Sequence, residues 1–174
     1  MSAPRAYFLT TDRLGFGSWD EEDAGLAMSL WGDGEVTALI GGPFSKDQVL
    51  ARLAQEIQLR QSTDVQYWPV FLLATGDLVG CAGLRPYPAE EFVLEMGIHL
   101  RPAYRGQGLA QEAAKAVIRF AFNTPGVRSL IAGHHPRNEA SGRLIRRLGF
   151  ELSHEGIYPP TGLVHPYYRL LRPA

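Results

Sequence analysis

The pattern of hydrophobic and polar positions along the chain predicts a mixture of strands and helices. Apolar, β-branched runs bounded by turn residues indicate strands, and these span residues 5–16, 67–74, 78–84, 92–100, 127–132, 150–155 and 164–171. Apolar residues at helical spacing indicate helices, and these span residues 20–31, 45–60, 108–122 and 138–148. Because two helices precede a central hairpin, we expect an α+β fold with a mixed, mostly antiparallel sheet of about seven strands and about four helices.

Local signals support several of these boundaries. The acidic run at residues 20–23 suits the positive end of a helix dipole. Ser45-Lys46-Asp47-Gln48 has the residues of a capping box at the start of the second helix. Thr75-Gly76-Asp77 is a turn signal between two predicted strands, so these strands should form a hairpin.

A glycine-rich segment, Arg105-Gly106-Gln107-Gly108-Leu109-Ala110, lies between the strand at 92–100 and the helix at 108–122. Glycines allow the backbone to approach a ligand closely, and the free N–H groups of a helix start favour a pyrophosphate. The segment lacks the third glycine of a dinucleotide-binding fingerprint, and the chain has no Gly-Lys-Ser/Thr of a Walker loop. An NAD-linked enzyme is therefore disfavoured, while an ordinary glycine turn before a helix stays open as an alternative.

The same segment fits R/Q-x-x-G-x-G/A and resembles the acetyl-coenzyme A loop of the GCN5-related N-acetyltransferase (GNAT) superfamily. The preceding residues 95–104 resemble the family's E-x-G-x-x-L-x-P-x-Y/W segment. Residues 138–150 are similar to the N-x-x-S…G-F segment of its ribosomal-protein N-terminal acetyltransferase branch, and residues 9–14 are similar to that branch's opening strand. The resemblance implies one N-acetyltransferase domain over residues 1–174, with acetyl-coenzyme A as cosubstrate in a cleft between two splayed central strands, one carrying Glu95 and the other near Leu130.

The resemblance also implies which residues bind the cosubstrate. The backbone N–H groups of the loop would hold the pyrophosphate, and Arg105 would add charge at the rim. The backbone groups of Ile98, His99 and Leu100 would pair with the amides of the pantetheine arm like an added strand. Asn138 would hydrogen-bond the pantetheine, although a plain helix N-cap explains an asparagine there equally well. The predicted binding residues are Ile98, His99, Leu100, Arg105, Gly106, Gln107, Gly108, Leu109, Ala110 and Asn138.

Glu95 is the first candidate for the base that deprotonates the acceptor amine, although a strand glutamate can equally pair with a cation or line a pocket. Strand alternation places Glu95, Gly97 and His99 on one face and Met96, Ile98 and Leu100 on the other. His99 is the competing base because its ordinary pKa is near neutral. A backbone N–H near Ile98 or His99 would stabilise the developing oxyanion.

The leaving thiolate needs a proton or a hydrogen bond. Many family members place a tyrosine seven residues after the asparagine, where this chain has Ile145. Ser141 matches the serine of the ribosomal-protein branch and is the candidate donor to the sulfur, although small polar residues are common near a helix start. The missing tyrosine keeps a second hypothesis open, in which the chain is a catalytically inactive acyl-coenzyme A-binding module.

Composition narrows the function class further. The chain has 174 residues, of which 45% are hydrophobic and 20% charged, as in an ordinary soluble domain. A formal net charge of −1 gives no support to nucleic-acid binding, which usually shows as a basic patch. No apolar run has the ~18 residues of a membrane span, and one cysteine cannot form an internal disulfide. We therefore expect a cytoplasmic protein without nucleic-acid or membrane partners, with homodimer formation left open.

No metal is expected, because His134 and His135 are neighbours that point to opposite faces of a strand and no carboxylate or cysteine stands at ligand spacing. The acceptor amine is left open between a protein N-terminus and a small molecule. Its specificity should lie in residues 19–66 and 158–165, the least patterned parts of the chain. An open acidic groove would suit a peptide, and a closed pocket would suit a small amine.

Overall fold

The computed structural model describes residues 5–174, which form one eight-stranded sheet flanked by helices. The strands are β1 (Leu9–Thr10), β2 (Leu14–Phe16), β3 (Tyr67–Leu72), β4 (Leu78–Pro86), β5 (Val93–Leu100), β6 (Ser129–Gly133), β7 (Glu151–Tyr158) and β8 (Leu163–Leu171). The α-helices are α1 (Ala24–Trp31), α2 (Gly34–Thr37), α3 (Lys46–Thr63), α4 (Leu109–Asn123) and α5 (Glu139–Arg147). The strand order is β1-β2-β3-β4-β5-β6-β8-β7, and within the described residues the one parallel pair is β5–β6. The predicted α+β class with a mixed, mostly antiparallel sheet is confirmed.

Two details of the prediction were wrong. The single strand expected at residues 5–16 is a hairpin of β1 and β2, because Thr11 closes a tight turn: its N–H donates to Leu14 O at 2.9 Å and its Oγ1 accepts from Leu14 N at 3.0 Å. The break expected after α1 contains the short helix α2, which Asp33 caps by accepting from Glu35 N at 2.8 Å. The chain therefore has one strand and one helix more than the pattern indicated.

The helices α3 and α5 begin at the residues that the sequence predicted. Ser45 and Gln48 form the reciprocal capping box at the start of α3, with Gln48 N donating to Ser45 Oγ at 3.3 Å and Ser45 N donating to Gln48 Oε1 at 2.8 Å. Asn138 caps α5 by accepting from Ser141 N at 3.1 Å. Both caps satisfy N–H groups that a helix start otherwise leaves unpaired.

The sheet separates two apolar layers. One layer packs α4 and α5 against one face of the sheet, and the other packs α1 and α3 against the opposite face. Met96 lies in the first layer, with Ile98 and Leu100 packed against it. Gly97 and His99 lie against Tyr67 of the second layer. The predicted alternation of β5 is confirmed for these residues, and it turns every second residue of β5 away from the α4 layer.

The two central strands separate partway along their length. β5 and β6 pair at Val93–Ser129, Leu94–Leu130 and Glu95–Ile131. Beyond Glu95, β5 stays paired with β4 as far as Leu100, whereas β6 stays paired with β8 as far as Gly133. The predicted splay is therefore confirmed, and the gap begins at Glu95.

Candidate active site

A cavity of about 550 Å³ fills the gap between β5 and β6. Its walls include the glycine loop at the start of α4, the exposed edge of β5, the start of α5 and the turn between β7 and β8. Nearly all of the residues predicted to bind the cosubstrate line this cavity, and so do Glu95 and Ser141; Gln107 is the exception. The structure thus brings the predicted site together in one space.

The glycine loop has a backbone that favours glycine. Gly106 and Gly108 have φ values of 72° and 78°, in the left-handed region that side chains rarely adopt. A Cβ atom on Gly106 would meet nothing within 4 Å, so backbone conformation rather than crowding limits substitution there. Gly108 is the N-cap of α4, and the N–H groups of Leu109 and Ala110 in the first turn have no partner within the helix. Unpaired N–H groups at the positive end of a helix dipole favour a negatively charged group.

Arg13 reaches this loop from the β1–β2 turn, a contact that the sequence analysis missed. Its Nη1 donates to Gln107 O at 3.0 Å, and its Nε donates to Glu112 Oε2 at 2.7 Å. The other oxygen of Glu112 accepts from Thr11 Oγ1 at 2.6 Å and from Arg13 N at 2.9 Å. Partial burial alone would raise the pKa of Glu112. The hydrogen bonds from Thr11 and Arg13 and the charge of Arg13 outweigh that effect, so the pKa of Glu112 is lowered. Glu112 therefore holds a guanidinium beside the start of α4.

Arg105, the cation predicted at the rim, has a different set of contacts. Its Nε and Nη2 donate to Leu100 O at 3.2 and 3.1 Å, and Nη2 also donates to Glu35 O at 3.3 Å. Glu35 belongs to α2, so Arg105 ties that helix to the end of β5. The guanidinium lines the cavity while serving as a link between the two elements.

The backbone of β5 presents alternate residues to the gap. Arg101 N donates to Val79 O at 2.9 Å, and the β4–β5 ladder runs without a register shift. Backbone groups of alternate residues face opposite sides of a strand, so those of His99 face β4 while those of Ile98 and Leu100 face the gap. Of the three residues predicted to pair with the pantetheine arm, Ile98 and Leu100 are the ones whose backbone groups face the gap.

Glu95 lies where the gap begins and lines the cavity. Burial raises the pKa of this carboxyl above its ordinary value, and the guanidinium of Arg85 opposes the rise. Arg85 is the residue directly opposite Glu95 in the β4–β5 register. A carboxylate with a raised pKa is a stronger proton acceptor than an exposed one, which suits a general base.

His99 has a different environment. Trp31 Nε1 donates to its Nδ1 at 3.4 Å, and Cys81 Sγ lies 3.6 Å from the same nitrogen. Burial, with the nearby charges of Arg52 and Arg85, lowers the pKa of His99 to about 3. The imidazole is therefore a weak proton acceptor at neutral pH. Cys81 is fully buried, and burial raises its thiol pKa to about 12, so this thiol is protonated at neutral pH.

The start of α5 faces the same cavity. Asn138 uses its side-chain oxygen for the helix cap, and within residues 5–174 its amide nitrogen has no hydrogen-bond partner. Ser141 is partly buried and lines the cavity one turn further along the helix. Ile145 is 4% exposed and belongs to the apolar layer of α4 and α5. An aliphatic side chain therefore occupies the position at which many family members carry a tyrosine.

Three charged residues at the far end of the cavity were also missed by the sequence analysis. Glu56 of α3 is 1% exposed and is contacted by Arg85 Nη2, by Arg52 Nε at 3.3 Å and by Tyr67 N at 2.9 Å. Arg52 and Arg85 line the cavity, whereas Glu56 lies behind them. Arg85 stacks 4.2 Å over the ring of Tyr67. Arg52 and Glu56 stand four positions apart in α3, a spacing that the sequence does show. Arg85 comes from β4, and no local signal links it to the other two residues.

The histidines considered as metal ligands serve as walls. His134 stacks on Tyr168 with a centroid distance of 5.7 Å, and His135 packs against His165 at 5.4 Å. His165 also stacks on Tyr158 at 4.7 Å, which orders the turn between β7 and β8. Within residues 5–174, no group of three or more His, Cys, Asp or Glu side chains is placed to hold a metal ion.

Comparison with known proteins shows to which family the chain belongs. The model of the acetyltransferase (GNAT) domain matches residues 13–151, so the chain belongs to the GNAT acetyltransferase family. The uncharacterized N-acetyltransferase YoaA of Bacillus subtilis (strain 168) is 26% identical over 145 residues, which cover 82% of this chain and 82% of YoaA. The ribosomal protein uS5-alanine N-acetyltransferase of Escherichia coli (strain K12) is 28% identical over 102 residues, covering 58% of this chain and 53% of that protein.

The fold agrees with solved structures. The RimL ribosomal-protein acetyltransferase in complex with coenzyme A superposes with a TM-score of 0.78 over 92% of this chain and 95% of that one, at 16% identity. The predicted likeness to the ribosomal-protein branch is thus confirmed at the level of family and fold. Among the helices of residues 5–174, none combines the length and the apolar character that a membrane crossing requires.

Proposed function

We propose that this protein is an acetyl-coenzyme A-dependent N-acetyltransferase that acts on a primary amine by direct attack in a ternary complex. The observation that carries the proposal is the open edge of β5, which runs from the glycine loop to Glu95 inside a single cavity. A thioester held along this edge would bring its acyl group toward Glu95. The family membership and the coenzyme A complex of RimL support the choice of cosubstrate.

The residues of the cavity fit the parts of the cosubstrate. The unpaired N–H groups at the start of α4, together with Arg13 and Arg105, suit the pyrophosphate. Ile98 and Leu100 present backbone groups to the gap, where the amides of a pantetheine arm would pair with them as an added strand does. Asn138 offers its amide nitrogen from the opposite wall. Coenzyme A supplies the activated acyl group when it is bound.

The chemistry assigns one role to each polar group. Glu95 takes a proton from the attacking amine, directly or through a water. The N–H of Ile98 faces the gap and donates to the carbonyl oxygen as it becomes negative. Ser141 Oγ donates to the leaving sulfur. His99 lines the cavity beside Trp31. Because its pKa is lowered to about 3, it does not serve as the base.

An assay of thiol release tests this proposal. The purified protein is incubated with acetyl-coenzyme A and a panel containing peptides with free N-termini, polyamines, aminoglycosides and amino acids, and free coenzyme A is measured over time. Amine-dependent thiol release with formation of the acetamide supports the enzyme. Tight binding of acetyl-coenzyme A without turnover of any amine would instead favour the inactive acyl-coenzyme A-binding module.

A further inference from the structure

The acceptor end of the cavity carries side chains of both charges. Arg52 and Arg85 both line the cavity, and both contact the same carboxylate, Glu56. Glu56 also accepts from Tyr67 N at 2.9 Å, so each of its two oxygens has a partner. Glu95 lines the same cavity as the two arginines. The acceptor end therefore presents two guanidinium groups and one carboxylate to a ligand, which suits a molecule that carries both a negative and a positive charge.

The two guanidinium groups are held in fixed orientations. Arg85 stacks 4.2 Å over the ring of Tyr67, and Arg52 stacks 4.8 Å over the ring of Trp31. Nε of both arginines and Nη2 of Arg52 are buried without a hydrogen-bond partner within residues 5–174, and the residues themselves line the cavity. Planar guanidinium groups with free N–H donors match the paired oxygens of a carboxylate or a phosphate, and of these two groups the carboxylate is the smaller.

The segment that follows α2 covers part of the cavity and limits the size of the acceptor. The segment after α2 packs on the turn between β7 and β8, where a Cβ atom on Gly41 would lie 2.7 Å from Pro160 Cβ. Leu39 and Ile40 of the same segment line the cavity beneath this contact. A partly covered pocket whose wall carries Arg52 and Arg85 differs from the open acidic groove that a peptide substrate would need.

We propose that the acceptor is a small primary amine that carries a carboxylate next to the amine, as a free α-amino acid does, with the carboxylate bound by Arg52 and Arg85 and the amine directed at Glu95. Arg85 lies directly opposite Glu95 in the β4–β5 register, which matches the short distance between the two groups of an α-amino acid. This inference rests on the proposed function and names the substrate class of the same site.

The reaction balances with the groups present. The amine nitrogen forms a bond to the thioester carbonyl carbon, and the carbon–sulfur bond breaks. One amine proton passes to Glu95 and from there to solvent, and the thiolate receives a proton from Ser141, which is reprotonated by water. The products are an N-acetylamino acid and free coenzyme A. Polyamines and aminoglycosides carry further positive charges and no carboxylate, so they have no group to pair with Arg52 and Arg85.

Matched pairs of acceptors test whether the protein recognises the carboxylate of its acceptor. The proteinogenic L-amino acids are compared with their α-carboxamides, which keep the amine and the side chain but lose the negative charge. At least one amino acid should give a kcat/KM 10-fold or more above that of its amide. The α-amine of the carboxamide is less basic than that of the amino acid, so a larger fraction of it is neutral and reactive at a given pH. Intrinsic reactivity alone would therefore give the amide the higher kcat/KM. Turnover of peptides or amides at equal or higher kcat/KM would overturn the inference while leaving the N-acetyltransferase proposal standing.

Variants of Arg52 test the binding group, because Arg85 remains to pair with Glu56. Arg52→Gln should raise the KM for the amino acid roughly 10- to 100-fold, as expected for a lost charge-assisted hydrogen bond, with little change in the kcat/KM of the amide. Arg52→Lys keeps the charge and should recover part of the loss. The control Arg60→Gln removes an exposed charge from the same helix outside the cavity and should change neither substrate.

A binding measurement separates this inference from turnover. Calorimetric titration of the coenzyme A-saturated protein with the preferred amino acid, and with its amide, reports affinity without chemistry. Binding of the amino acid that weakens in Arg52→Gln supports the assignment even in a protein that does not turn over. Equal affinity of the amino acid for wild type and Arg52→Gln, in variants that melt within a few degrees of each other, would refute it.

Discussion

Glu95→Gln is the substitution that most directly tests the chemistry. The amide keeps the size of the carboxylate and its place opposite Arg85, but it cannot accept a proton. Because burial raises the pKa of Glu95, removing this carboxyl should not lower the melting temperature. We therefore expect a folded protein with unchanged affinity for acetyl-coenzyme A and a lower kcat.

The size of the loss distinguishes two roles for Glu95. The measurement uses an α-carboxamide or peptide acceptor, whose α-amino pKa of about 7.7–8.0 leaves roughly 10–20% of the amine neutral at pH 7. A residue that merely collects the ammonium proton of such an acceptor contributes about 5- to 10-fold at pH 7 and nothing near pH 10. Proton transfer in the transition state contributes about 10²- to 10⁴-fold. We expect a loss of about 10²-fold or more at pH 7 that shrinks toward high pH and does not vanish.

The assay is a pH–rate profile of thiol release at saturating acetyl-coenzyme A. Wild type should lose activity as the pH falls through the pKa of Glu95, which lies above its ordinary 4.5, and Glu95→Gln should lack this limb. Glu91→Gln, which removes an exposed carboxylate just before β5, is the matched control. Wild-type kcat in Glu95→Gln across the whole range would show that Glu95 is a wall of the pocket and that another group or a water chain is the base.

Three further substitutions test the binding loop and the leaving group. Gly108→Ala and its control Gly76→Ala both place a side chain at positive φ, 78° and 76°, so each should cost about 1–2 kcal/mol of stability in urea unfolding. The KM for acetyl-coenzyme A should rise in Gly108→Ala alone. Ser141→Ala should lower kcat less than Glu95→Gln does, because water can also protonate the thiolate, and a loss as large as that of Glu95→Gln would contradict this. Glu112→Gln should lower stability at pH 7 in urea unfolding. Since the folded-state pKa of Glu112 is lowered, the difference from wild type should begin to shrink as the pH falls below about 4.5 and should disappear below the lowered folded-state pKa. A difference that persists at still lower pH would mean that the contact with Arg13 is not electrostatic.

Much of the fold could be predicted from the sequence because its signals are local. The capping pair Ser45 and Gln48, the glycines of the loop and the alternation of β5 all depend on neighbouring residues. The splay between β5 and β6 depends on where a parallel pair ends, which no local pattern records. It followed from the resemblance alone, and the structure confirmed it.

Apart from the i,i+4 pair Arg52 and Glu56, the long-range contacts around the cavity could not be predicted because their residues are distant in sequence. Arg85 and Glu56 are 29 positions apart and come from a strand and a helix. Arg13 and Glu112 are 99 positions apart, and their contact depends on the turn between β1 and β2 that was taken for continuous strand. Contacts of this kind arise from packing, and a periodicity argument has no access to them.

The division of the sheet has a consequence for how the chain folds. Strands β1 to β5 come from residues 9–100 and β6 to β8 from residues 129–171. Most neighbours within each half are antiparallel and close in sequence, apart from the longer steps between β2 and β3 and between β6 and β8. The halves meet at three residue pairs between β5 and β6, and the chain must pass through α4 before this parallel seam can close. Since pairings between distant segments form slowly, the local hairpins β3–β4, β4–β5 and β7–β8 should form before the seam closes, so the cleft is assembled after the hairpins on either side of it.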